Sequence, residues 1–394
     1  MDLAPSRKTR GFFLACATRA ERIRLPALAH QRAAALAALA VAGIASAQSS
    51  VTLFGVVDAG VSYYDAKGGN VKQSQWTQSN SGYNTSRIGF RGTEDLGGGL
   101  AAGFWLEGAL GNDTGGFSGF QRRSTVSLSG PFGEVRVGRD YTPTFWNDTT
   151  FDPFGTNGVG TNIISRQSDS IGNTQYVRSS NSVAYFLPAD LGGFYGQVQY
   201  GFHEQVKTTG TEQEKNGQYA GARFGYANGP LDVALAYGQS KIADDGIGNS
   251  NDAKTLNLGA SYDFGAVKLF GELSQVKNEF GVTGLADTNT KYDGALIGLS
   301  APVGAGLIRA AYSTVRAKTS LIGDEDAKSS KLAIGYVHNL SKRTALYATY
   351  AHIWNRNDAT LTTSGPTSSI ATVTPGLNGK SSANGYDFGI RHAF

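Results

Sequence analysis

Thiols, prolines and long apolar runs are scarce in this chain of 394 residues. It contains one cysteine, Cys16, one methionine and ten prolines, and no run of 18 apolar residues that would form a membrane-spanning helix lies beyond residue 47. A single thiol excludes a disulfide framework and a metal site built from several thiolates. Glycine is abundant at 53 residues, and aromatic side chains make up 11%. This composition favours pleated strands joined by turns over helices.

The first 47 residues differ from the rest and predict a cleavable leader. Basic residues between Arg7 and Arg32 precede an alanine-rich apolar run over 33–44, which ends in three small residues. This order is typical of a secretory signal with an A-x-A cleavage site, so we expect cleavage between Ala47 and Gln48. The alternative is a buried amphipathic helix. The basic part is longer than export requires, which leaves about the first 20 residues as either leader or an upstream extension of the reading frame.

Removal of residues 1–47 changes the charge of the protein. They carry seven basic and two acidic residues, so the net charge falls from +4 to −1 without them. The basic character of the whole chain therefore belongs to the leader. An interpretation as a nucleic-acid-binding protein loses its support.

Residues 48–394 alternate between apolar and polar side chains with a period of two. Val51, Leu53 and Val57, for example, alternate with Thr52 and Asp58. This pattern predicts strands with one apolar and one polar face. Sixteen candidate strands follow, centred near Val57, Gly89, Trp105, Val126, Val135, Val183, Val198, Ala222, Leu235, Leu258, Leu269, Ile297, Ala310, Ile334, Ala348 and Phe388.

The connections between these strands alternate strictly in length. Seven tight turns separate eight longer polar loops, and the turns lie at 96–99, 131–133, 189–193, 228–230, 263–265, 302–306 and 340–343. A soluble β-sandwich predicts no such asymmetry, whereas an up-and-down barrel with both termini at its short-turn end requires it. We therefore predict an all-β fold, a 16-stranded antiparallel transmembrane β-barrel formed by residues 48–394.

Closure and alternation have the same physical cause. Hydrocarbon offers no partner for backbone N–H and C=O groups, so an open sheet edge would leave a row of them unsatisfied. A charged side chain that faces lipid near the midplane costs about 2–4 kcal/mol, whereas a wet lumen tolerates it. Seven charged residues are predicted to line the lumen because they fall on the polar parity: Arg87, Arg91, Arg136, Arg223, Arg309, Asp232 and Glu272.

The chain ends in an alternating strand that carries Tyr386, Phe388 and Phe394 on one parity. A terminal aromatic residue resembles the C-terminal signature that barrel-assembly machinery recognises in outer-membrane proteins. These three residues are our candidates for the assembly signal, and they imply the outer membrane. The alternative is an ordinary edge strand that ends a soluble domain.

Four segments are similar to the sixteen-stranded general porins of Gram-negative bacteria, especially the β-proteobacterial type. They are SVTLFGVVDAG at 50–60, SRIGFRGTEDLGGGL at 86–100, PFGEVRVGR at 131–139 and YDFGIRHAF at 386–394. The resemblance implies a diffusion channel for small hydrophilic solutes and ions in the outer membrane. It also implies a homotrimer, an inward-folded third loop, periplasmic termini, and contact with outer-membrane lipid and lipopolysaccharide.

The third loop, from Tyr141 to about Ser180, is the longest connection and the best candidate for a functional site. It contains Asp148 and the segment Asp152-Pro153-Phe154-Gly155, where members of the family usually carry Pro-Glu-Phe-Gly. The acidic residue is thus shifted by one position relative to the family pattern, and whether its side chain points into the pore stays open. Phe154 and Gly155 are expected to fix the turn of the loop.

The resemblance places arginines of the barrel wall opposite this loop, at Arg87, Arg122 and Arg178. The alternation instead points Arg123 inward, so Arg122 and Arg123 both remain candidates, of which we expect one to be wrong. A structural salt bridge along the wall is the alternative for each arginine taken alone.

Together these groups lead to a hypothesis for the pore constriction. Asp148 and Asp152 on the loop, opposite the arginines, would create a transverse field at the narrowest point that favours polar solutes. The number of arginines on the lumen parity favours anions, although carboxylates such as Asp58 and Glu107 share that parity.

An enzyme on the same scaffold is the alternative from another functional class. None of the four histidines beyond the leader, His203, His338, His352 and His392, lies near a nucleophile motif, and G-x-S-x-G, H-E-x-x-H and phosphate-loop patterns are missing from the sequence. We predict no catalytic residue, no metal site and no cofactor. A substrate-specific porin and an adhesin are nearer alternatives, and the acidic loop over 241–252 is best interpreted as solvated.

Overall fold

A computed structural model describes residues 50–164, 172–209, 213–319, 326–363, 365 and 367–394. The predicted leader and its cleavage point between Ala47 and Gln48 lie outside the described residues. Within the described ranges, no helix is long and apolar enough to cross a lipid bilayer.

The described residues form eighteen strands and one short helix. In chain order they are β1 Ser50–Gly68, β2 Val71–Asn80, β3 Arg87–Gly97, β4 Leu100–Gly111, β5 Gly116–Phe117, β6 Arg123–Gly130, β7 Gly133–Tyr141, α1 Pro143–Thr150, β8 Arg178–Phe186, β9 Phe194–Gly201, β10 Tyr219–Asn228, β11 Leu231–Asp244, β12 Ser250–Asp263, β13 Lys268–Gly281, β14 Thr288–Val303, β15 Gly306–Thr319, β16 Ala327–Asn339, β17 Thr344–Arg356 and β18 Ser381–Ala393.

Sixteen of these strands form the barrel wall, which closes where β18 pairs with β1 in antiparallel register. The other two are additions to it: β2 folds back on the second half of β1, and the two-residue β5 folds back on β4. The first half of β1 pairs with β3 instead. The predicted 16-stranded antiparallel barrel is confirmed, and the β1–β2 hairpin is an element that the alternation did not indicate.

All seven predicted tight turns join neighbouring wall strands, so the predicted alternation of short and long connections is confirmed. The turn between β3 and β4 shows why its sequence is glycine-rich. Gly97, Gly98 and Gly99 have φ values of +80°, +63° and +81°. A side chain would be strained at each of them, because L-residues rarely adopt this conformation.

The two faces of the strands differ as the alternation predicts. On β1, Val51 and Leu53 are 65% and 52% exposed on the outer face, whereas Asp58 and Ser62 point inward and are fully buried. The seven charged residues predicted to line the lumen share this inward parity in the strand registers. The apolar side chains of the wall therefore face outward, toward the lipid of the membrane.

The C-terminal end of the chain helps to close the barrel by pairing with β1. The backbone N–H of Phe394 donates to the carbonyl of Gly55 at 3.1 Å, and the N–H of Gly55 donates to the carbonyl of Phe394 at 3.1 Å. Phe388 and Phe394 are exposed on the outer face, where Tyr386 packs beside Tyr63. Their role as an assembly signal stays a prediction.

The packed interior lies between the wall and two loops that fold into the barrel. One is the third loop, whose inward course was expected. The other is the connection between β17 and β18, where Thr363, Ile370 and Val373 are buried near Tyr64 of β1. The third loop carries four of the eight residues predicted for the pore constriction.

Candidate functional site: the third loop and the arginines of the lumen

The third loop leaves β7 through a capped helix. The Oγ1 of Thr142 accepts a hydrogen bond from the backbone N–H of Phe145 at 3.4 Å, and Pro143 occupies the first helical position. A hydroxyl N-cap followed by proline starts a helix, because both satisfy or remove backbone N–H groups that have no intrahelical partner. Helix α1 therefore begins directly at the end of the wall strand.

Asn147 fastens α1 to the inner face of the wall. Its side-chain amide donates to the carbonyl of Ala234 at 3.0 Å and to Oδ1 of Asn257 at 3.1 Å. Its own Oδ1 accepts from Nε of Arg223 at 2.5 Å. Asn147 is fully buried, so these bonds satisfy a polar group that water cannot reach. They hold the helix against β10, β11 and β12.

Beyond α1 the loop packs on glycines of the wall. The ring of Phe151 lies so close to Gly259 that a Cβ there would overlap it, and a Cβ at Gly298 would meet Pro153 at 2.6 Å. The ring of Phe154 approaches Gly335 in the same way. Glycine is required at these wall positions because the loop occupies the space of their side chains.

The rest of the loop reaches the last strands. Nζ of Lys331 donates to the carbonyl of Thr161 at 2.7 Å, and the backbone N–H of Val159 donates to Oδ2 of Asp387 at 2.7 Å. The loop thus runs along the lumen face from β10 to β18. It narrows the barrel from one side.

The two predicted acidic groups of the loop are buried. Asp148 is fully buried and accepts hydrogen bonds from the hydroxyl of Tyr176 and from Nδ2 of Asn257 on the wall. Asp152 is 3% exposed and accepts from the backbone N–H groups of Phe154 at 2.8 Å and Asn162 at 3.0 Å. The structure therefore does not bring these carboxylates together with the arginines across open lumen, as the expected transverse field requires.

Burial shifts the pKa of both carboxylates in the same direction. Loss of hydration raises the pKa of Asp148 above the usual range of an aspartate, and the nearby charge of Asp152 acts in the same direction. Burial likewise raises the pKa of Asp152, against the opposing effect of its backbone donors. Their geometry is that of groups that hold the loop in place.

Phe154 and Gly155 form the turn that Asp152 stabilises. The N–H of Gly155 donates to the carbonyl of Asp152 at 2.8 Å, and Gly155 has a φ of +58°. Phe154 is buried, and the guanidinium of Arg309 lies 4.6 Å from its ring centroid. These contacts agree with the expectation that both residues fix the loop.

Three of the four predicted arginines meet around one carboxylate and one hydroxyl. Nε of Arg122 lies 2.6 Å from Oε1 of Glu107, and Nη1 of Arg87 lies 3.6 Å from the same oxygen. Nη2 of Arg122 and Nη2 of Arg178 both donate to the hydroxyl of Tyr141, at 2.8 and 3.0 Å. We call Arg87, Arg122 and Arg178 the arginine cluster.

Arg123 belongs to a neighbouring network on the same wall. Its Nε lies 3.5 Å from Oδ2 of Asp140, which is also bound by Arg136, and its guanidinium stacks 4.6 Å from the ring of Trp105. The expectation that one of Arg122 and Arg123 points away from the lumen is wrong. Arg122 precedes β6, so the strand parity does not govern its direction, and its side chain turns inward to Glu107.

Sequence reasoning missed the role of Tyr141. Counted from Val135 and Val137 it falls on the lipid parity, but the β7–β8 register shifts between Gly138 and Asp140. This bulge turns Tyr141 inward, directly opposite Arg178, whose guanidinium lies 4.5 Å from its ring. A glycine within a strand is the one signal that indicates such a bulge.

Comparison with known proteins identifies the family. A family model for Gram-negative porins matches residues 33–359. The chain belongs to this family. It is 43% identical over 367 residues to outer membrane porin protein 32 of Delftia acidovorans, covering 91% of this chain and 98% of the relative. It is 33% identical over 353 residues to an outer membrane porin protein of Bordetella pertussis, covering 78% and 89%.

Solved structures agree with the porin assignment. The anion-selective porin from Comamonas acidovorans is 41% identical with a TM-score of 0.75, covering 88% of this chain and all of that chain. A trimer form of OmpT of Vibrio cholerae shares the fold at 16% identity and a TM-score of 0.64, covering 88% and 99%.

This porin resides in the outer membrane and forms a water-filled barrel through which small hydrophilic solutes and ions diffuse passively. The expected family, location and function are confirmed. Members of the family are channels and not enzymes.

Proposed function

We propose that this porin prefers anions and that the arginine cluster sets the preference. The observation that carries the proposal is the ratio of charges among the described residues of the cluster. Arg87 and Arg122 share one carboxylate, that of Glu107, while Arg178 binds the neutral hydroxyl of Tyr141. Within the part of the third loop that the structure describes, the acidic groups Asp148 and Asp152 are buried and turned away from open water. The lumen beside the cluster therefore carries excess positive charge.

Partial burial in the wall limits the screening of these positive charges by water. Arg122 is almost fully buried and Arg87 is 29% exposed at its side chain, so water screens them less than it screens surface cations. The ring of Tyr141 supports Arg178 and stacks on Phe145 of α1 at 5.2 Å. Fixed cations along a wet wall attract anions without retaining them, because chloride keeps part of its hydration shell.

The candidate residues of the constriction divide by role in this proposal. Arg87, Arg122, Arg178 and the adjoining Arg123 supply the field. The second group, made of Asp148, Asp152, Phe154 and Gly155, shapes the third loop and sets the width of the channel. The name of the Comamonas relative, an anion-selective porin at 41% identity, supports the direction of the preference.

Reversal potentials in planar bilayers test this assignment. Replacing two members of the cluster in Arg87→Gln with Arg178→Gln is expected to move the potential toward that of a non-selective pore. The matched control is Arg316→Gln with Lys318→Gln, which removes two cations from the outer face of β15 and is expected to change nothing. An unchanged potential in the lumen variant, or an equal change in the control, contradicts the assignment.

The remaining expectations about assembly are proposals of the same kind. We infer a homotrimer, as in the trimer form of OmpT, with both termini in the periplasm and the leader removed after Ala47. Tyr386, Phe388 and Phe394 would present the signal read by the barrel-assembly machinery, and outer-membrane lipid and lipopolysaccharide would surround the wall. Single-channel recording tests the homotrimer: conductance in three equal steps supports it, and single isolated steps contradict it. We also propose that this chain has no catalytic activity of its own.

A further inference from the structure

A cavity of about 320 Å³ lies on the lumen face of the wall, and Arg87 of the arginine cluster is part of its lining. Aromatic side chains contribute much of the remaining surface. Phe54 and Trp105 occupy inward positions of β1 and β4, and Trp146 comes from α1 of the third loop. We call Phe54, Trp105 and Trp146 the lumen aromatic group.

Contact with the membrane does not explain aromatic rings at these positions. Side chains on the inner face of a porin barrel meet water, so polar residues are expected there. Of the four tryptophans in the chain, Trp354 is 44% exposed on the outer face, whereas Trp105 and Trp146 both line this one cavity. Phe54 and Trp105 also pack together, with ring centroids 4.9 Å apart. The lumen therefore has an aromatic surface at the point where the fixed cations lie.

Guanidinium groups surround these rings. Those of Arg123 and Arg91 lie 4.6 Å and 5.1 Å from the ring centroid of Trp105, and that of Arg91 lies 5.5 Å from the ring of Phe54. Arg91 is exposed on the inward parity of β3, and no carboxylate of a described residue lies within salt-bridge distance of it. The cavity thus combines positive charge with aromatic surface.

The two carboxylates that line the cavity already have partners within the wall. Glu107 accepts hydrogen bonds from Nε of Arg122 at 2.6 Å and from Nε1 of Trp105 at 3.1 Å. One oxygen of Asp140 accepts from Nη1 of Arg136 at 2.5 Å, and the other accepts from a backbone N–H at 2.8 Å. These bonds reduce the repulsion that an entering anion would meet.

Two arginines of the lining keep N–H donors for such an anion. Nη1 of Arg87 lies 3.6 Å from Oε1 of Glu107, which is beyond hydrogen-bond distance, and Arg123 uses its Nε to bind Oγ1 of Thr125 at 3.1 Å. Among the described residues, the guanidinium of Arg87 and the two terminal nitrogens of Arg123 donate no hydrogen bond. A guanidinium presents its donors in pairs that match the two oxygens of a carboxylate.

We propose that this cavity binds small aromatic carboxylates, of which benzoate is the simplest, during their passage through the pore. The carboxylate pairs with Arg87 and Arg123, and the ring contacts the lumen aromatic group in an offset or edge-to-face arrangement. The volume is at the small end of the range for ligand sites, which suits a single ring. The inference rests on the proposed anion preference and adds a substrate class to it.

Block of the chloride current by organic anions tests the inference. Benzoate and cyclohexanecarboxylate both carry one carboxylate on a six-membered ring, but only benzoate has an aromatic face. The concentration of each that halves the single-channel chloride current is measured for the original porin and for Trp105→Leu, Trp105→Phe and Trp354→Leu. Trp354→Leu is the matched control, because it removes an indole from the outer face. The heat-modifiable band on gels verifies that each variant is folded.

The aromatic contact predicts a difference between the two anions. Benzoate is expected to block at about fivefold lower concentration than cyclohexanecarboxylate, the factor that one aromatic contact contributes. The difference should shrink in Trp105→Leu and persist in Trp105→Phe and Trp354→Leu. Equal block by the two anions in the original porin overturns the inference. An equal loss of both blocks in Trp105→Leu also overturns it, since Trp105 would then only position the guanidinium groups.

The reversal potential of the original porin in KCl separates this inference from the proposed function. A potential on the chloride side of zero together with equal block by both anions overturns the aromatic site alone. A potential on the potassium side overturns the anion preference and, with it, the inference that depends on that preference.

Discussion

Glu107 limits the excess charge of the arginine cluster, so its replacement by glutamine should strengthen the preference for anions. The carboxylate lies 2.6 Å from Arg122 and 3.6 Å from Arg87, and it accepts a hydrogen bond from Nε1 of Trp105 at 3.1 Å. In Glu107→Gln the amide oxygen can still accept from Arg122, while the negative charge is removed. The cluster then has three cations and no carboxylate partner among the residues that the structure describes.

The magnitude follows from the distance between a passing anion and Glu107. Two unit charges 4 Å apart interact by about 1 kcal/mol in bulk water and by about 4 kcal/mol at an effective dielectric constant of about 20. An anion beside the cluster lies slightly farther away, in a half-wet lumen screened by salt. Removal of the repulsion from Glu107 therefore stabilises the anion by about 1 kcal/mol. That energy corresponds to about a fivefold rise in relative anion permeability.

Reversal potentials in planar bilayers under a KCl gradient measure this change. Glu134→Gln serves as the control, because Glu134 also lies on the inner parity of the wall but binds Arg136, at 2.9 Å, outside the cluster. A fall in anion preference after Glu107→Gln refutes the reasoning. An equal rise in both variants shows that the total charge of the lumen, and not the cluster, decides selectivity.

Two further predictions concern the anchoring of the third loop. Gly259→Val should displace the ring of Phe151, which is fully buried, and cost about 1–3 kcal/mol through overpacking. Noisier single-channel currents would report the loosened loop, and quiet, unchanged currents would contradict the prediction. Burial raises the pKa of Asp148 above its value of about 3.8 in the unfolded chain, so the folded state binds the proton more tightly than the unfolded state does. The free energy of unfolding should therefore fall as the pH rises from about 3.8 through the raised pKa. Asp148→Asn should lessen this fall in thermal unfolding followed between acidic and neutral pH, and a slope equal to that of the original porin would contradict the assignment.

The barrel was predictable because its physics acts on each strand separately. Alternation such as that of Val51, Leu53 and Asp58 reports which face meets lipid, and the need to satisfy backbone hydrogen bonds in hydrocarbon leaves closure as the solution. The β1–β2 hairpin escaped this reasoning. The sequence of β2, VKQSQWTQSN, is mostly polar and therefore does not alternate with the same contrast.

The site was less predictable, because its geometry depends on departures from regular strands. The bulge at Gly138 reverses the parity of Tyr141, and Arg122 lies outside any strand. Asp148 and Asp152 are acidic residues in a polar loop, which indicates exposure, yet both are buried. Asp148 is bound by Asn257 of the wall, more than a hundred residues away, and Asp152 is enclosed by backbone donors of the folded loop itself. Neither arrangement leaves a periodic signal.

The sign of the reversal potential of the unaltered porin in a KCl gradient tests the central proposal most directly. If the arginine cluster controls passage, the potential should lie on the chloride side of zero and move toward zero as the salt concentration increases, because salt screens the fixed charges. A potential on the potassium side at low salt would contradict the proposal that excess positive charge in the lumen selects the permeating ion.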